Sequence, residues 1–261
     1  MSNPHRSYLP PEIFDEIVDL LYSEREVLKQ CCLVSRSWIP RARKYLFADI
    51  NFIDEDDIKA WRKRFPDPTR SPAHHTRKMK IHCAEVVTAE DVQEGAWLQT
   101  FSSVVWLELR TGLTSFNELT FSLVPFYKFS SSVKSLVCVH FIPCLQTLWL
   151  IHSLPLLENL TLDGRVVVGW GLPPGSTGLS VSPPLTGTLE LALSGGVESI
   201  ARRLLDLPNG LHFRRLIFSW RNKEGSRWAN ELAAACSNTL ECLDVMAPLF
   251  CGIVSRHALN S

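Results

Sequence analysis

The chain has 261 residues, 46% hydrophobic and 21% charged, and its 27 basic side chains balance its 27 acidic ones. This composition is typical of a globular protein large enough for a small module and one larger domain. Zero net charge argues against nucleic acid as the main partner, because phosphate binding needs a surplus of Lys and Arg. No run of eighteen apolar residues predicts a membrane-spanning helix, so no membrane partner is expected.

Residues 1–8 are expected to form a disordered tail, and they lack the apolar core of a signal peptide, which places the protein in the cytoplasm or nucleus. The eight cysteines contain no Cys-x-x-Cys pair and most lie in apolar runs, which predicts reduced, mostly buried thiols. A group formed by His74, His75, His82 and Cys83 lacks the tight second pair of ligands that a zinc site needs. No metal and no cofactor are therefore expected.

The segment 9–51 predicts three short amphipathic helices. Pro10 and Pro11 begin the first helix, where a missing backbone N–H costs nothing. Apolar residues then recur at helical spacing and form a wide stripe. These residues are Ile13, Phe14, Ile17, Val18, Leu20 and Leu21.

The second and third helices are predicted from their N-terminal signals. Ser23 followed by Glu26 indicates a capping box for the second helix. Ser35 or Ser37 is the expected N-cap of the third helix, which leaves Pro40 in its first turn. One face of the third helix is predicted to hold Trp38, Ala42, Tyr45 and Leu46.

These motifs resemble an F-box, the module by which ubiquitin-ligase substrate receptors bind a Skp-family adaptor. The resemblance is carried by the Leu-Pro-x-Glu opening at Leu9, the Leu-Val-Ser-Arg-x-Trp run at 33–38 and the closing Tyr-Leu-Phe at 45–47, and it covers only about the first fifth of the chain. It implies a non-enzymatic substrate-recognition subunit of an SCF-type ligase, connected through the adaptor to cullin and RING subunits. The adaptor-binding residues implied by the resemblance are Leu9, Pro10, Ile13, Ile17, Leu28, Val34 and Trp38.

Periodicity alone leaves another interpretation open, namely an ordinary three-helix subdomain packed on its C-terminal neighbour. About forty residues are near the lower limit for a self-sufficient core, so the wide apolar surface must be completed by the rest of the chain or by a partner. Residues 52–75 are then predicted to be a linker helix and loop between two units. Acidic residues at 54–57 precede the helix and basic residues at 62–64 end it, as the helix dipole favours.

Residues 76–261 contain seven strand-like segments, most of which fit L-x-x-L-x-L. Their fourth positions are Met79, Leu107, Leu136, Leu160, Leu189, Leu216 and Leu243, at intervals of 24 to 29 residues. The intervening segments have helical patterns, which start near Thr88 and cover 145–151, 197–207 and 227–236. The predicted fold class is α+β, with a three-helix F-box followed by an α/β leucine-rich-repeat-like solenoid. An α/β domain with alternating strands and helices is the alternative.

In such a repeat the leucines point inward and the residues between them lie on the open face of the sheet. Trp106, Arg110 and Arg215 are the candidate target-binding residues, because Trp and Arg are enriched at interface hot spots. Packing of Trp106 over a neighbouring repeat is the alternative. A Gly/Pro/Ser-rich stretch at 169–187 predicts an extended insertion. After Val245 no polar terminal repeat follows, so the last repeat is predicted to leave a core face uncovered. Either the protein is shorter than its relatives, or two copies pair through that end.

No catalytic constellation is visible in the sequence, since it contains no G-x-S-x-G elbow, no phosphate-binding glycine loop and no His-Glu-x-x-His. Three hypotheses follow. The first is the SCF-type substrate receptor, which binds an unidentified target protein through the repeats. The second is a leucine-rich-repeat interaction protein with an F-box-like module and no ligase role, and the third is a small hydrolase with an unrecognised motif.

Overall fold

The computed structural model describes residues 10–82, 96–111, 126, 129, 131–168, 183–220 and 224–246. These residues form a mixed α/β structure with a single eight-stranded sheet, in which the strands follow one another in chain order. The helices are α1 (Pro11–Leu20), α2 (Arg25–Val34), α3 (Ile39–Leu46), α4 (Glu55–Arg64), α5 (Ala96–Gln99), α6 (Cys144–His152), α7 (Val197–Leu205) and α8 (Glu224–Ala235). The strands are β1 (Asp49–Phe52), β2 (Lys78–His82), β3 (Trp106–Arg110), β4 (Ser135–Pro143), β5 (Asn159–Val167), β6 (Thr188–Gly195), β7 (Arg215–Trp220) and β8 (Cys242–Met246).

Every neighbouring pair of strands is parallel, and the predicted fourth positions lie side by side in one row. The row runs from Met79 through Leu107 to Leu243, and its members are buried until β8, where Leu243 is 40% exposed. A second buried row lies two residues further along each strand, from Phe52 to Phe218. The strands therefore lie where the spacing predicts them, and the core-facing side of β8 is uncovered in the described part of the chain.

The L-x-x-L-x-L pattern misses one strand, β1. Ile50 pairs with Met79 and precedes it by 29 residues, which is the spacing of the later strands, and Phe52 pairs with Ile81. Both β1 side chains are buried in the same core as the rest of the sheet, and Ile58 of α4 joins them there. Residues 52–75 contain the predicted helix and loop, and this segment packs on the sheet, since Ile58 and Ala73 are buried in its core.

Helix α4 begins at Glu55, three residues earlier than predicted, so the acidic residues 55–57 form its first turn. The Asp54 carboxylate caps it by accepting a hydrogen bond from the backbone N–H of Asp57 at 2.9 Å. Its Trp61 ring meets Phe47 and Phe52 edge-on, with ring centroids 5.9 Å apart in each case. Two short 3-10 turns follow in the predicted loop, at Pro68–Arg70 and Pro72–His75.

Helices α1, α2 and α3 enclose a separate small core. Its fully buried members are Val18, Leu28, Cys31 and Ala42. Trp38, Tyr45 and Leu46 pack against it, which confirms the predicted apolar face of the third helix. This core is small because three short helices have little surface to bury against one another.

The predicted side-chain caps of α2 and α3 are wrong. Ser23 hydrogen-bonds to the Glu24 carboxylate at 3.4 Å, and no side chain caps α2. Ser35 and Ser37 hydrogen-bond to each other at 2.8 Å, and α3 begins after Trp38 without a side-chain cap. The hydroxyls bond locally instead, which Ser side chains do readily outside helices.

Strands β4 and β5 both have positive φ angles at His140 and Gly164, which pair in register. His140 has φ 80° and Gly164 has φ 139°. A Cβ at Gly164 would lie 2.0 Å from the carbonyl oxygen of His140, so only glycine fits there. Both strands continue beyond this pair, so that Val166 adds a further buried position to β5, and α6 begins directly after Pro143.

The later predicted helices are confirmed as α6, α7 and α8 within a few residues. The six described cysteines are free, and Cys31, Cys138, Cys144 and Cys236 are buried as predicted. Leu9, Cys83, Cys251 and the segments 88–95, 169–182 and 247–261, which carry further predictions, lie outside the described residues. Among the helices that the structure describes, none is long and apolar enough to cross a membrane.

Candidate functional site

Helix α1 carries apolar side chains on two sides. At about 100° per residue, these side chains form two stripes roughly 100° apart around the helix axis. The inward stripe, packed on or beside the small core, is Phe14, Val18 and Leu21, and the exposed stripe, here called the outer stripe, is Ile13, Ile17 and Leu20. Of the wide apolar surface predicted for this helix, the chain therefore covers one stripe and leaves the other exposed.

Exposed apolar side chains concentrate around these helices. Of the thirteen exposed large hydrophobic side chains in the described part of the chain, seven belong to α1, α2 and the turn between them. They are Ile13, Ile17, Leu20, Tyr22, Val27, Leu33 and Val34. Single exposed apolar residues are normal, whereas a concentration of them marks an interaction site.

The six predicted adaptor-binding residues that the structure describes, all except Leu9, fall into three groups. Pro10, Ile13, Ile17 and Val34 are exposed and accessible to a partner. Leu28 is 1% exposed and lies in the small core, so its assignment as a direct contact is wrong. Trp38 is half-buried, with its ring centroid 5.5 Å from that of Phe14, and supports the inner side of α1.

Sequence reasoning missed the two most exposed members of the group, Leu20 and Leu33, which are 80% and 86% exposed. Leu20 belongs to the same predicted apolar stripe as Ile13 and Ile17 but is not among the predicted adaptor contacts. Leu33 lies within the Leu-Val-Ser-Arg-x-Trp run but had no assigned role. Helical periodicity places residues on a common face, yet it does not say whether that face is covered by the chain or by a partner.

A polar network fixes α1 on α3. Arg41 donates hydrogen bonds to both carboxylate oxygens of Asp19, and the Tyr45 hydroxyl donates a third at 2.8 Å. The hydrogen bonds from Arg41, followed by that from Tyr45, lower the pKa of Asp19 to about 2. The same pairing with Asp19 raises the pKa of Arg41. The network orients α1, and with it the outer stripe, although the partners lie more than twenty residues apart in sequence.

A second surface lies on the open face of the sheet, opposite the buried rows. Lys80 of β2 and Trp106, Glu108 and Arg110 of β3 are adjacent there and are called the β2–β3 cluster. Glu108 is only 4% exposed, with Lys80 Nζ 3.7 Å from its carboxylate and Arg110 Nε donating to it. Lys80 Nζ also lies 5.4 Å from the centroid of the Trp106 ring, within the range of a cation–π contact.

The three predicted target-binding residues do not form one site. Trp106 and Arg110 belong to the β2–β3 cluster, whereas Arg215 lies on β7, four strand spacings or roughly 19 Å away. Arg215 donates to the Asp244 carboxylate at 2.6 Å through Nη2, and this hydrogen bond raises the pKa of Arg215. The contact between Trp106 and Lys80 of the preceding strand agrees with the alternative that Trp106 packs on a neighbouring repeat.

A cleft of about 410 Å³ lies between α6 and α7 and is lined by Cys144, Ser199 and Arg202, among others. Burial raises the pKa of the Cys144 thiol, which keeps it protonated and a poor nucleophile. Of the predicted histidine group, His74 Nδ1 lies 3.0 Å from the backbone carbonyl oxygen of Ser71. Within the described residues, no three His, Cys, Asp or Glu side chains are grouped as metal ligands.

No protein-family model, no curated protein and no solved structure matches this chain. The functional interpretation therefore depends on its motifs and on the two surfaces. The exposed outer stripe suits an apolar partner, because burying a fully exposed Ile or Leu side chain gains about 1.5–3 kcal/mol. Leu20, at 80% exposed, has most of that gain left, and Ile13 and Ile17, at 39% and 37%, have part of it. The β2–β3 cluster suits a polar or charged partner.

Proposed function

We propose that this protein is the substrate-recognition subunit of an SCF-type E3 ubiquitin ligase. Its F-box, residues 9–51, binds a Skp-family adaptor, and the sheet that follows binds a target protein. Cullin and RING subunits join through the adaptor, in the cytoplasm or nucleus. The protein performs no chemical step, and it contributes by raising the effective concentration of target lysines near the transfer machinery.

The observation that carries the proposal is the uncovered outer stripe. Ile13, Ile17 and Leu20 are exposed on a helix whose other apolar stripe already packs on or beside the small core. They belong to the same forty residues in which the F-box-like motifs occur. A partner that covers this stripe supplies the apolar contacts that the three helices lack, which explains why so small a unit keeps so much apolar surface exposed.

The sheet supports the second half of the proposal. Eight parallel strands in chain order, with core residues repeating every 24 to 29 positions, favour a leucine-rich-repeat-like solenoid. Its open face carries Trp, charged and small polar side chains in register across strands. Such a surface is suited to a polypeptide target because it offers aromatic and Arg anchors within a polar surround.

The proposal is tested by pull-down of a Skp-family adaptor with the full chain and with an Ile17→Ser/Leu20→Ser variant. We expect the intact chain to retain the adaptor and the variant to lose about 100-fold in affinity, since two buried apolar anchors contribute roughly 3 kcal/mol together. A Leu156→Ser variant, which changes an exposed leucine in the turn after α6, is the matched control and should bind normally. A folded intact chain that retains no adaptor would favour the interaction protein without a ligase role.

A further inference from the structure

The β2–β3 cluster contains a buried carboxylate, that of Glu108. Glu108 lies on the open face of the sheet, yet it is almost fully buried between Lys80 and Arg110. Removing a carboxylate from water costs several kcal/mol unless cations and hydrogen bonds compensate it. One carboxylate shared by two cations leaves the cluster with a net positive charge and fixes the directions of both basic side chains.

Both cations keep donors that the described residues do not use. Arg110 meets Glu108 through Nε, and no described residue engages its two terminal nitrogens. Lys80 Nζ lies 3.7 Å from the Glu108 carboxylate, which is beyond hydrogen-bonding distance. The side chains of Lys80 and Arg110 are 35% and 39% exposed, so an incoming group can reach them.

Two further residues of β2 lie beside the cluster. Lys78 pairs in register with Trp106, and His82 pairs with Arg110. On the other side, β4 presents the uncharged Ser135, Val137 and Val139. Asp49 of β1, in register with Lys78, is the other carboxylate on these first three strands, and it lies outside the cluster.

The second arginine on the open face is arranged differently. Arg215 donates to Asp244 through both Nε and Nη2, at 3.2 and 2.6 Å, so this pair is already closed on itself. Asp244 is also far more exposed than Glu108, at 43% of its side chain. Arg110 is therefore held in place through Nε by the buried Glu108, and both of its terminal nitrogens stay available to a ligand. In Arg215, by contrast, Nη2 is already bonded to Asp244.

We propose that the β2–β3 cluster binds an anionic side chain, a carboxylate or a phosphate, of the polypeptide that the sheet recognises. The terminal nitrogens of Arg110 provide the two-point geometry that fits either group, Lys80 adds a second charge, and Trp106 packs against the neighbouring residue of the bound segment. Glu108 acts as a positioning residue. That this polypeptide is a ubiquitination target rests on the proposed function.

The test is an array of immobilised peptides probed with the full chain. Each peptide carries aspartate and glutamate, phosphoserine, glutamine or lysine at the same positions in a common aromatic-containing background. We expect anionic peptides to bind about tenfold or more better than the glutamine peptides, because a hydrogen bond to a charged group contributes about 1.5–3 kcal/mol. Comparison of the carboxylate and phosphoserine peptides identifies which anion is preferred.

The decisive variant is Glu108→Gln/Arg110→Gln, which keeps the net charge and leaves no unpaired buried carboxylate. It should fold, as circular dichroism will show, and lose the preference for anionic peptides. The matched control Lys134→Gln/Glu158→Gln neutralises an exposed cross-strand ion pair of 2.9 Å and should keep the preference. A Lys80→Gln variant provides a second test of the cluster, with a smaller loss expected.

Equal binding of anionic and glutamine peptides by the intact chain would overturn the inference, as would a folded double variant that keeps the preference. Adaptor binding through α1 and α2 is measured separately on the same proteins. Adaptor retention without anionic preference would leave the proposed function standing, whereas anionic preference without adaptor retention would leave only the inference. The two failures are therefore distinguishable.

Discussion

Asp19 is the residue on which the placement of α1 most depends. Its carboxylate accepts hydrogen bonds from Arg41 and Tyr45 of α3 and so ties the two helices together. Because the hydrogen bonds stabilise the ionised form, the folded protein holds the Asp19 pKa near 2, below the ordinary value of 3.8. Stability from this group is therefore fully present above the ordinary value and is lost as pH falls toward the folded value.

We predict that Asp19→Asn lowers the urea midpoint of the helical unit above about pH 4 and that the difference from the unchanged chain shrinks as pH falls toward 2. The measurement is urea denaturation followed by circular dichroism across this range. Asp67→Asn is a suitable comparison, since that carboxylate is also hydrogen-bonded but lies in a turn after α4. A difference independent of pH would mean that Asp19 acts through packing alone.

Gly164 is a second residue whose identity is dictated by geometry. We predict that Gly164→Ala destabilises the chain by clearly more than 1 kcal/mol, because the new Cβ would lie 2.0 Å from the His140 carbonyl oxygen at φ 139°. Gly210→Ala is the matched control, since Gly210 has φ 70° with no atom within 4 Å of the added Cβ. It should cost only the backbone strain of about 1 kcal/mol. Equal losses in thermal unfolding would contradict the steric explanation.

Two threonines test how hydrogen bonding of a hydroxyl group affects stability, because one has hydrogen-bond partners and the other has none among the described residues. The buried Thr147 hydroxyl of α6 has no hydrogen-bond partner among the described residues, whereas Thr111 Oγ1 bonds to the backbone N–H and carbonyl of Phe141 at 2.7 and 2.6 Å. We predict that Thr147→Val is neutral or stabilising by up to about 1–2 kcal/mol, and that Thr111→Val is destabilising by about 1–3 kcal/mol. Chemical denaturation of both variants measures the difference, and a destabilised Thr147→Val would refute it.

At the scale of elements, helix α2 carries one leucine in the small core, Leu28, and one on the surface, Leu33. We predict that Leu28→Ala destabilises the three-helix unit by about 2–5 kcal/mol, because it leaves a cavity in a core of four fully buried residues. Leu33→Ser should change stability by no more than about 0.5 kcal/mol, since its side chain is almost fully exposed. Hydrogen exchange of the α2 amides will distinguish the two. A large loss with Leu33→Ser would show that the helix packs on the other side.

The strands show how far the sequence predicts structure. Spacing located seven of the eight strands and the row that is buried from Met79 to Leu216 and ends at the exposed Leu243, because a repeated unit must place equivalent leucines in the same position of each strand. It missed β1, whose segment lies at the end of the F-box-like motif and contains no L-x-x-L-x-L. The helix caps were also missed, since Ser23, Ser35 and Ser37 have several local partners available and the sequence does not rank them.

At the scale of the whole molecule, the two surfaces were predicted unequally. The apolar spacing of α1 indicated the outer stripe, but only the fold shows that Ile13 and Ile17 face away from the core while Leu28 lies inside it. The alternation of strand residues placed Trp106 and Arg110 on the open face. The burial of Glu108 between cations on two strands could not be read from sequence, because it depends on the register of β2 with β3.

The two surfaces belong to different parts of the chain, so the proposed receptor would bind its adaptor and its target through separate regions. The outer stripe lies on the helices before the sheet, and the β2–β3 cluster lies on strands near the beginning of the sheet. Adaptor binding and target binding are therefore expected to be separable by mutation. Substitutions in one surface should leave the other at full affinity, since they share no residue and no hydrogen bond among those described.

The most direct test of the central claim is hydrogen exchange of the full chain with and without a Skp-family adaptor. If the outer stripe is the docking surface, amides of α1 and α2 become strongly protected when the adaptor binds, while those of β5–β8 do not change. Exchange in α1 that is unaffected by a saturating adaptor, or protection that appears only on the sheet, would contradict the assignment of this surface and with it the proposed receptor role.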